Sequence, residues 1–441
     1  MTTRILREKF DLTTPKNWEA GCYGEGADRI LPSSYDELAE LVRYADARRR
    51  PLIPAGLGSH AYVGNPPPPG SLVVSLERLT SVLRYEPDDF TIGVQAGLPL
   101  SKLRELLREN GQDTVGDIPR RARGTVGGFV ATAIPGPRRA RNGPLKSFLI
   151  GVHAMRGSGR IYKAGGMVVK NVAGYEVGKF LVGSLGTSGI ILEANFKLRP
   201  LPPGRKGGIA AFGRPQDAWR FADAIRRERL EASCLWVLDS GASGRLHDDV
   251  AGSAAPYEVL WMFEGNSALL DWFDGKVKKI CQESNVEFDT LDGNAVEDAF
   301  DSLCRLYEPE DSVEKPMAIA RVSVLPTGLE QTANVLGRML EESSSTAHQI
   351  AADVGAGQLC LRWDGEAGTL DDPLKKLPDL IRDAGGCGWL VYLPTELRGR
   401  WEYLLLEDPN RATAARVLKV FDPSAIFCPG RMYKKAAALT R

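Results

Sequence analysis

From Gly165 to Leu198 the chain reads GGMVVKNVAGYEVGKFLVGSLGTSGIILEANFKL, and Gly183, Gly186 and Gly189 fall within seven residues of one another. An amphipathic piece, Glu176 to Leu181, precedes them, and an alternating run, Ile190 to Leu198, follows as a strand. Glycine is used where the backbone needs positive φ or where a ligand touches its amides, and those amides are good donors to phosphate or heterocycle oxygens. The spacing predicts backbone packed close against something, with a strand leaving the place of contact. Taken alone, GxxGxxG is a weak signal, because glycine clusters are more often plain turns.

Small residues concentrate twice more. Ser34 is placed as the N-cap of a helix from Tyr35 to about Arg49, with Asp36 and Glu37 in its first turn. Pro51-Leu52-Ile53-Pro54 then reads as a short buried strand that delivers the chain into Ala55-Gly56-Leu57-Gly58-Ser59-His60. Small residues there expose consecutive amides and Ser59 adds a hydroxyl, which suits a pyrophosphate; an ordinary tight turn is the alternative for the glycines alone. Pro66 to Pro69 form a stiff connection to strands over Ser71–Leu76, Ser81–Tyr85 and Thr91–Gln95. Gly97 closes a turn before a helix over Leu100–Asn110. Further on, Gly124-Thr125-Val126-Gly127-Gly128-Phe129-Val130-Ala131-Thr132 opens a helix with small residues, as close helix packing also would.

Gly136-Pro137-Arg138-Arg139-Ala140-Arg141-Asn142-Gly143 follows. Three clustered arginines are either a solvated charge cluster or guanidiniums that hold a phosphate or carboxylate bidentately. A local structural or partner-binding role is preferred for them. Phe148–Met155 and Arg160–Ala164 then pair as strands across Gly157-Ser158-Gly159.

At 441 residues the chain is long enough for two or three domains. Lys plus Arg and Asp plus Glu each number 56, and no basic face is rich enough to imply nucleic acid. Seven widely spaced cysteines without a CxxC argue against an iron–sulfur or zinc site in this chain and against a disulfide framework; a reducing cytoplasm fits. The first residues, MTTRILREKFDLTTPKNWEA, lack an apolar signal core, and no run approaches the ~18 apolar residues of a membrane span. The expectation is a protein with no transmembrane segment, peripheral to the inner membrane only through partners.

After Leu201-Pro202-Pro203-Gly204, a plausible linker, the pattern changes. Strand Gly208–Phe212, helix Pro215–Leu230, strands Cys234–Leu238 and Tyr257–Phe263, helix Ala268–Gln282 and a short strand at Phe288 form one βαββαβ-like run. Strand Met317–Leu325, helix Thr327–Glu342, strands Gln349–Asp353 and Gln358–Trp363, helix Pro373–Asp383 and strand Gly388–Leu393 form another. Two such runs imply a helix-covered antiparallel sheet of ferredoxin-like type. A helix at Ala412–Phe421 leads to Asp422-Pro423-Ser424-Ala425-Ile426-Phe427-Cys428-Pro429-Gly430-Arg431-Met432.

GGMVVKNVAGYEV with FLVGSLGTSGIILEANFKLRP closely resembles the end of the FAD-binding domain in the vanillyl-alcohol oxidase (PCMH-type) flavoprotein family. Within it the chain looks most like the FAD-binding subunit of bacterial glycolate oxidase. PAGLGSHAYVG resembles the family's diphosphate loop, GPRR matches that subunit's pattern, and FDPSAIFCPGRM resembles the closing motif that returns towards the flavin, with Cys428 where asparagine is commoner. The resemblance implies an α+β fold. A PCMH-type FAD-binding domain of two α+β subdomains (22–203) would be followed by a ferredoxin-like α+β cap (204–408) and a returning C-terminal piece (409–441). It implies FAD held by Pro54, Ala55, Gly56, Leu57, Gly58, Ser59, His60, Gly97, Gly124, Thr125, Gly127, Gly128, Ala131, Asn142, Gly143, Asn171, Gly174, Tyr175, Gly183, Gly186, Gly189, Ile190 and Arg431. In several relatives a histidine placed like His60 carries FAD covalently, but the glycolate oxidase subunits need not have one; a covalent link and a plain polar loop residue both stand.

Oxidising a 2-hydroxy acid needs a cation for the carboxylate and a base for the hydroxyl proton, for which histidine is the natural choice. The four histidines, 60, 153, 247 and 348, include no close ligand pair of the kind that binds a metal in catalytic relatives, so no metal is expected. His247-Asp248-Asp249 reads as an exposed turn in a Gly- and Ala-rich loop. Arg321 in ARVSVLP and Arg362 in CLRWDG each interrupt an apolar strand, where a charge is costly unless paired, solvated or used. They are the candidate catalytic cations, with structural pairing as the alternative. The resemblance implies an FAD-linked oxidoreductase subunit of a glycolate oxidase-like 2-hydroxy acid dehydrogenase complex, beside a catalytic flavin subunit and an iron–sulfur subunit. A stand-alone alcohol or sugar oxidase and a non-catalytic flavoprotein scaffold are the alternatives.

Overall fold

The computed structural model describes residues 12–13, 22–23, 27–114, 116–118, 122–167, 176–248, 255–309, 316–343 and 347–433. They fall into two units. The first takes the described residues up to 134, then 144–200 and those from 398 on; the second takes 135–143 and 201–397. The chain thus rejoins the first unit at 398 rather than 409, and the arginine segment 135–143, expected in the FAD-binding domain, groups with the second unit.

In the first unit, β1 (Leu12–Thr13), β2 (Asp28–Ile30), β3 (Leu52–Ala55) and β4 (Leu72–Ser75) form a sheet of order β1-β2-β4-β3. Strand β4 runs parallel to both β2 and β3, because α1 (Tyr35–Arg48) crosses back between β2 and β3. The start of α1 is written locally: the Ser34 hydroxyl accepts from the Glu37 amide at 3.2 Å, and Glu37 reaches back to the Ser33 amide at 2.7 Å. A second, antiparallel sheet has the order β5-β6-β10-β8-β9. Its strands are β5 (Val82–Glu86), β6 (Thr91–Gln95), β8 (Leu149–Met155), β9 (Ile161–Gly165) and β10 (Ile190–Lys197), while β7 (Gln112–Asp113) and β11 (Arg199–Pro200) pair separately. Helices α2 (Leu100–Glu109) and α3 (Val126–Thr132) complete the layer. One apolar cluster draws Leu38 and Leu41 from α1, Leu72 from β4, Ile92 and Val94 from β6 and Leu192 from β10, so both sheets share a core. Each fully buried leucine or isoleucine there contributes roughly 1.5–3 kcal/mol.

The C-terminal motif is stitched to this unit by backbone. Leu52 donates to Ile426 at 2.7 Å and Cys428 donates back to Leu52 at 2.9 Å, extending the edge at β3. Asp422 fixes the loop by accepting from the Phe427 amide at 2.7 Å.

The second unit is one eight-stranded antiparallel sheet of order β15-β12-β14-β13-β17-β18-β16-β19. Strands β12 (Gly204–Phe212), β13 (Cys234–Asp239), β14 (Tyr257–Gly265) and β15 (Asp289–Leu291) make one half, and β16 (Met317–Ser323), β17 (Ala347–Asp353), β18 (Gln358–Asp364) and β19 (Cys387–Tyr392) make the other. Each half has the ferredoxin-like order 4-1-3-2, and the halves join where β13 pairs with β17, Trp236 opposite Asp353. Helices α4 (Pro215–Arg227) and α6 (Ser267–Ser284) cover the face carrying Trp261 and Phe263 through the ring pairs Phe221–Trp261 and Phe263–Phe273. Helix α5 (Ser240–His247) belongs to the other face, since its His247 meets Glu258, which alternates with Trp261 along β14. Helix α7 (Gly293–Cys304) follows β15; α8 (Leu329–Glu341) and α9 (Ala367–Asp383) pack on the second half.

Helix α5 corrects the reading of His247 as part of an exposed turn. Asp239 caps the helix, accepting from the Ala242 amide at 2.9 Å, and Ala242, Ser243 and Leu246 are buried. The His247 ring is 9% exposed and pairs through Nε2 with Glu258 Oε1 at 2.8 Å.

Candidate functional site

The first unit holds an open cleft of about 790 Å³, solvent space at its mouth included. Its walls come from three small-residue segments and the C-terminal motif: Pro54 to Ala61, Thr125 with Gly127, Gly128, Ala131 and Thr132, Leu185 with Gly186 and Gly189, and Cys428 with Arg431. Strand β3 aims the first segment at the cleft, and the Gly58 φ of +78° explains the glycine there. Between Leu57 and His60 the backbone amides donate to no acceptor among the described residues. On the outer side, the Gly56 carbonyl accepts from Ser75 Oγ at 3.0 Å and Arg29 Nη2 at 3.4 Å, and the same Arg29 nitrogen holds Glu77 at 2.7 Å. The turn's oxygen is therefore engaged by protein while its amides are left for something else.

Thr125 caps α3 and is 3% exposed. A Cβ at Gly56 would lie 2.1 Å from its Oγ1, so glycine is required for the two segments to touch. The third segment hangs from the end of α3: Gly183 donates to Val130 at 3.0 Å and Leu185 to Ala131 at 2.8 Å. The Gly186 φ of +78° turns the chain beside Cys428, whose Sγ would be 3.2 Å from a Cβ there. Arg431, 5% exposed, donates through Nη1 to the Asn65 carbonyl at 3.0 Å and through Nη2 to that of Ala61. Arg398 adds a bond to the Tyr62 carbonyl at 2.9 Å. Burial lowers the His60 pKa to about 4, so the imidazole is neutral at ordinary pH, with Nδ1 3.1 Å from Ser59 Oγ. Burial likewise pushes the Cys428 thiol up to about 12, which keeps it protonated and unreactive.

The cleft gathers Pro54, Ala55, Gly56, Leu57, Gly58, Ser59, His60, Thr125, Gly127, Gly128, Ala131, Gly186, Gly189 and Arg431 of the expected residues. Gly97, Gly124, Gly183 and Ile190 lie outside its lining. Gly97 is a packing glycine, since a Cβ there would sit 1.9 Å from the Leu76 carbonyl. Gly124 lies beneath Ser59, Gly183 carries a positive φ behind the wall, and Ile190 is fully buried in the core. Asn142 and Gly143 belong to the second unit. Asn171, Gly174 and Tyr175 lie outside the described residues. Sequence reasoning missed Tyr23, Ile53, Ala61, Val63, Leu76, Ala96, Thr132, Leu185, Ile191 and Cys428, which also line the cleft. Ile53, Ala61, Ala96, Thr132, Leu185 and Ile191 carried a signal by adjoining residues already chosen, and Cys428 by lying in the closing motif.

Arg321 and Arg362 sit in the second unit on one sheet face, in neighbouring rungs: Arg321 faces Cys360 and Trp389, while Arg362 faces Ile319 and Gln349. Arg362 is 4% exposed and donates through Nε to Asp364 at 3.2 Å. The Arg321 guanidinium stacks 4.3 Å over the Trp389 ring, and its buried Nε has no hydrogen-bond partner.

The FAD binding domain family matches residues 29–165, which carry the first two walls of the cleft. The chain carries an FAD-binding domain. It is 36% identical to a D-2-hydroxyglutarate dehydrogenase of Xanthomonas citri pv. viticola over 39% of this chain and 37% of that one. It is 34% identical to glycolate oxidase subunit GlcE of Escherichia coli (strain K12) over 37% of this chain and 47% of that one. The flavoprotein thus spans less than half the length of either relative. Against glycolate oxidase subunit GlcD of Bacillus subtilis (strain 168) it is 29% identical over 92% of this chain and 89% of that one. Its fold is that of p-cresol methylhydroxylase, with a TM-score of 0.69 at 14% identity over 97% of this chain and 92% of that one. FAD is the flavoprotein's cofactor, and the cleft's row of unengaged amides fits its diphosphate. Among the described residues no group of three or more His, Cys, Asp or Glu side chains could hold a metal, and no helix is long and apolar enough to cross a membrane. All seven cysteines are free thiols.

Proposed function

We propose that this flavoprotein is the FAD-binding subunit of a glycolate oxidase-like 2-hydroxy acid dehydrogenase complex, working with a catalytic flavin subunit and an iron–sulfur subunit. FAD would lie in the cleft with its diphosphate on the amides of Leu57 to His60, Thr125 and Gly127–Gly128 along its edge, and Gly186 and Gly189 against the ring system. The observation that carries the seat is the unengaged amide row, since backbone donors held by Arg29 and Ser75 from behind are pre-organised for an anion. Oxidation of a 2-hydroxy acid to the 2-oxo acid releases two electrons and two protons, and FAD supplies the electron acceptor when bound. For the carboxylate, Arg321 is a better cation than Arg362, whose charge is spent on Asp364.

The subunit role is supported by the likeness to GlcE and by the histidines. His153 contacts Glu193 in the first unit, and His247 is paired with Glu258 in the second. His348 alternates with the residues of β17 that share His247's sheet face, so these two do not form a pair. The end-to-end match to GlcD favours a second reading, in which the chain oxidises the hydroxy acid itself. Anaerobic mixing with glycolate separates the two. Bleaching of the flavin in the isolated chain supports the second; bleaching only after partner subunits are added supports the first. A purified chain that takes up no FAD, alone or with partners, would overturn both.

A further inference from the structure

The three arginines of the 135–143 segment are of two kinds. Arg138, buried, meets Glu264 at 2.9 Å, and Arg141 pairs with Glu231 on the surface. The Arg139 side chain has no hydrogen-bond or ion-pair partner among the described residues. Its segment abuts the β17–β18 turn, where a Cβ on Gly355 would come within 2.6 Å of Ala140 Cβ. That turn is set by Asp353, which accepts from the amides of Gly355 and Ala356 at 3.1 and 3.0 Å.

Beside the turn lies the rung Ala351–Cys360–Arg321–Trp389. Cys360 Sγ donates to the Leu306 carbonyl at 3.2 Å, which holds the short turn Arg305–Tyr307 over this rung. Tyr307 is 3% exposed and its hydroxyl is buried with no hydrogen-bond partner. Arg321 likewise keeps a buried, unpartnered Nε while stacking on Trp389. Two buried, unpartnered donors and the unpaired Arg139 side chain thus come from elements packed together around the β17–β18 turn. They feel one another: burial first and then Arg321 lower the Arg139 pKa, and burial raises the Tyr307 phenol well above its usual range. A buried donor without an acceptor is costly, and a buried charge more so.

We propose that Arg139, Arg321 and Tyr307 form a binding site for one small carboxylate bearing an adjacent hydroxyl or oxo group. The two guanidiniums bind the carboxylate, and the Tyr307 hydroxyl bonds the neighbouring oxygen. Charge sets the class: two cations against Asp353, whose charge reaches both Arg139 and Tyr307, leave a surplus of one, which a monocarboxylate balances and a dicarboxylate or phosphate overshoots. This deepens the 2-hydroxy acid reading and rests on it only for the ligand's identity.

The test is calorimetric titration of the FAD-loaded chain with pyruvate, a 2-oxo monocarboxylate that leaves the flavin oxidised, and with 2-oxoglutarate and inorganic phosphate for comparison. Pyruvate should bind tighter than either. Arg139→Gln and Arg321→Gln should each weaken it about tenfold or more, Tyr307→Phe by a few-fold, and Arg141→Gln not at all. Arg139→Lys, which keeps the charge without the planar fork, should recover part of the loss and, with an unchanged melting temperature, exclude misfolding as the cause. Wild-type pyruvate affinity in Arg139→Gln overturns the site; tighter binding of phosphate or 2-oxoglutarate overturns the monocarboxylate class. Flavin absorbance in the same samples reports the first unit separately, so loss of FAD with pyruvate binding intact would sink the flavin seat and leave this site standing.

Discussion

Arg431 donates through Nη1 to the backbone carbonyl of Asn65 at 3.0 Å, joining residues 366 positions apart. Asn65 answers by donating from Nδ2 to the Gly430 carbonyl at 2.9 Å and from its amide to that of Arg431 at 2.8 Å. The loop that follows the glycine turn is thereby fastened to the end of the chain, and the cleft is walled by residues from both.

Arg431→Met removes charge-assisted bonds to two buried carbonyls. Such bonds are worth about 1.5–3 kcal/mol each, so the variant should lose on the order of 3 kcal/mol and bind FAD more weakly. Chemical denaturation and flavin titration check both effects. Stability within error of wild type would mean the latch contributes nothing.

Arg29→Met tests the brace behind the glycine turn. Arg29 holds the Gly56 carbonyl, Ser75 and Glu77 from outside the cleft. FAD affinity should fall several-fold while Arg29→Lys retains part of it; equal affinity in Arg29→Met would detach the brace from flavin binding.

Glu264 accepts from Arg138 and Arg205, both at 2.9 Å, in the interior of the second unit. Removing one partner of a buried ion pair costs roughly 3–5 kcal/mol. Glu264→Ala should therefore destabilise the chain by that order in urea unfolding, far more than Glu231→Ala, whose pair with Arg141 is exposed.

The His60 imidazole is held neutral, with a pKa lowered by burial from 6.5 to about 4. The unfolded chain takes up this proton near 6.5 and the folded chain only near 4, so folding stability falls as pH drops through that window and is unaffected by this group above it. In flavin-free protein, His60→Gln should flatten the stability profile between those values; an unchanged slope would show that His60 is not the group responsible.

Much of this was legible in the sequence where the physics is local. Ser34 announces α1, and the two βαββαβ runs give the ferredoxin-like halves, because capping and strand periodicity depend on neighbours. The join of β13 to β17 was not legible, since it depends on pairing residues more than a hundred positions apart. Glycines misled for the same reason: Gly97 answers to the Leu76 carbonyl and Gly183 to its own φ, and neither contact is visible in spacing. Ser240 to His247, rich in Gly and Ser, read as loop because nothing local shows that Asp239 would cap it or that Leu246 would be buried. The arginine segment split only in three dimensions, where partners for Arg138 and Arg141 came from β14 and from the turn after α4.

The most direct test of the flavin seat is the visible absorbance of acid supernatants from the wild-type chain and from Gly58→Val and Gly186→Val, purified alongside. A valine cannot easily adopt the positive φ required at either position, and at Gly186 its Cβ would also crowd Cys428 Sγ and Pro54 in the cleft wall. The account predicts flavin released into the wild-type supernatant and almost none from either variant. Normal flavin in both variants would contradict the placement of FAD in this cleft.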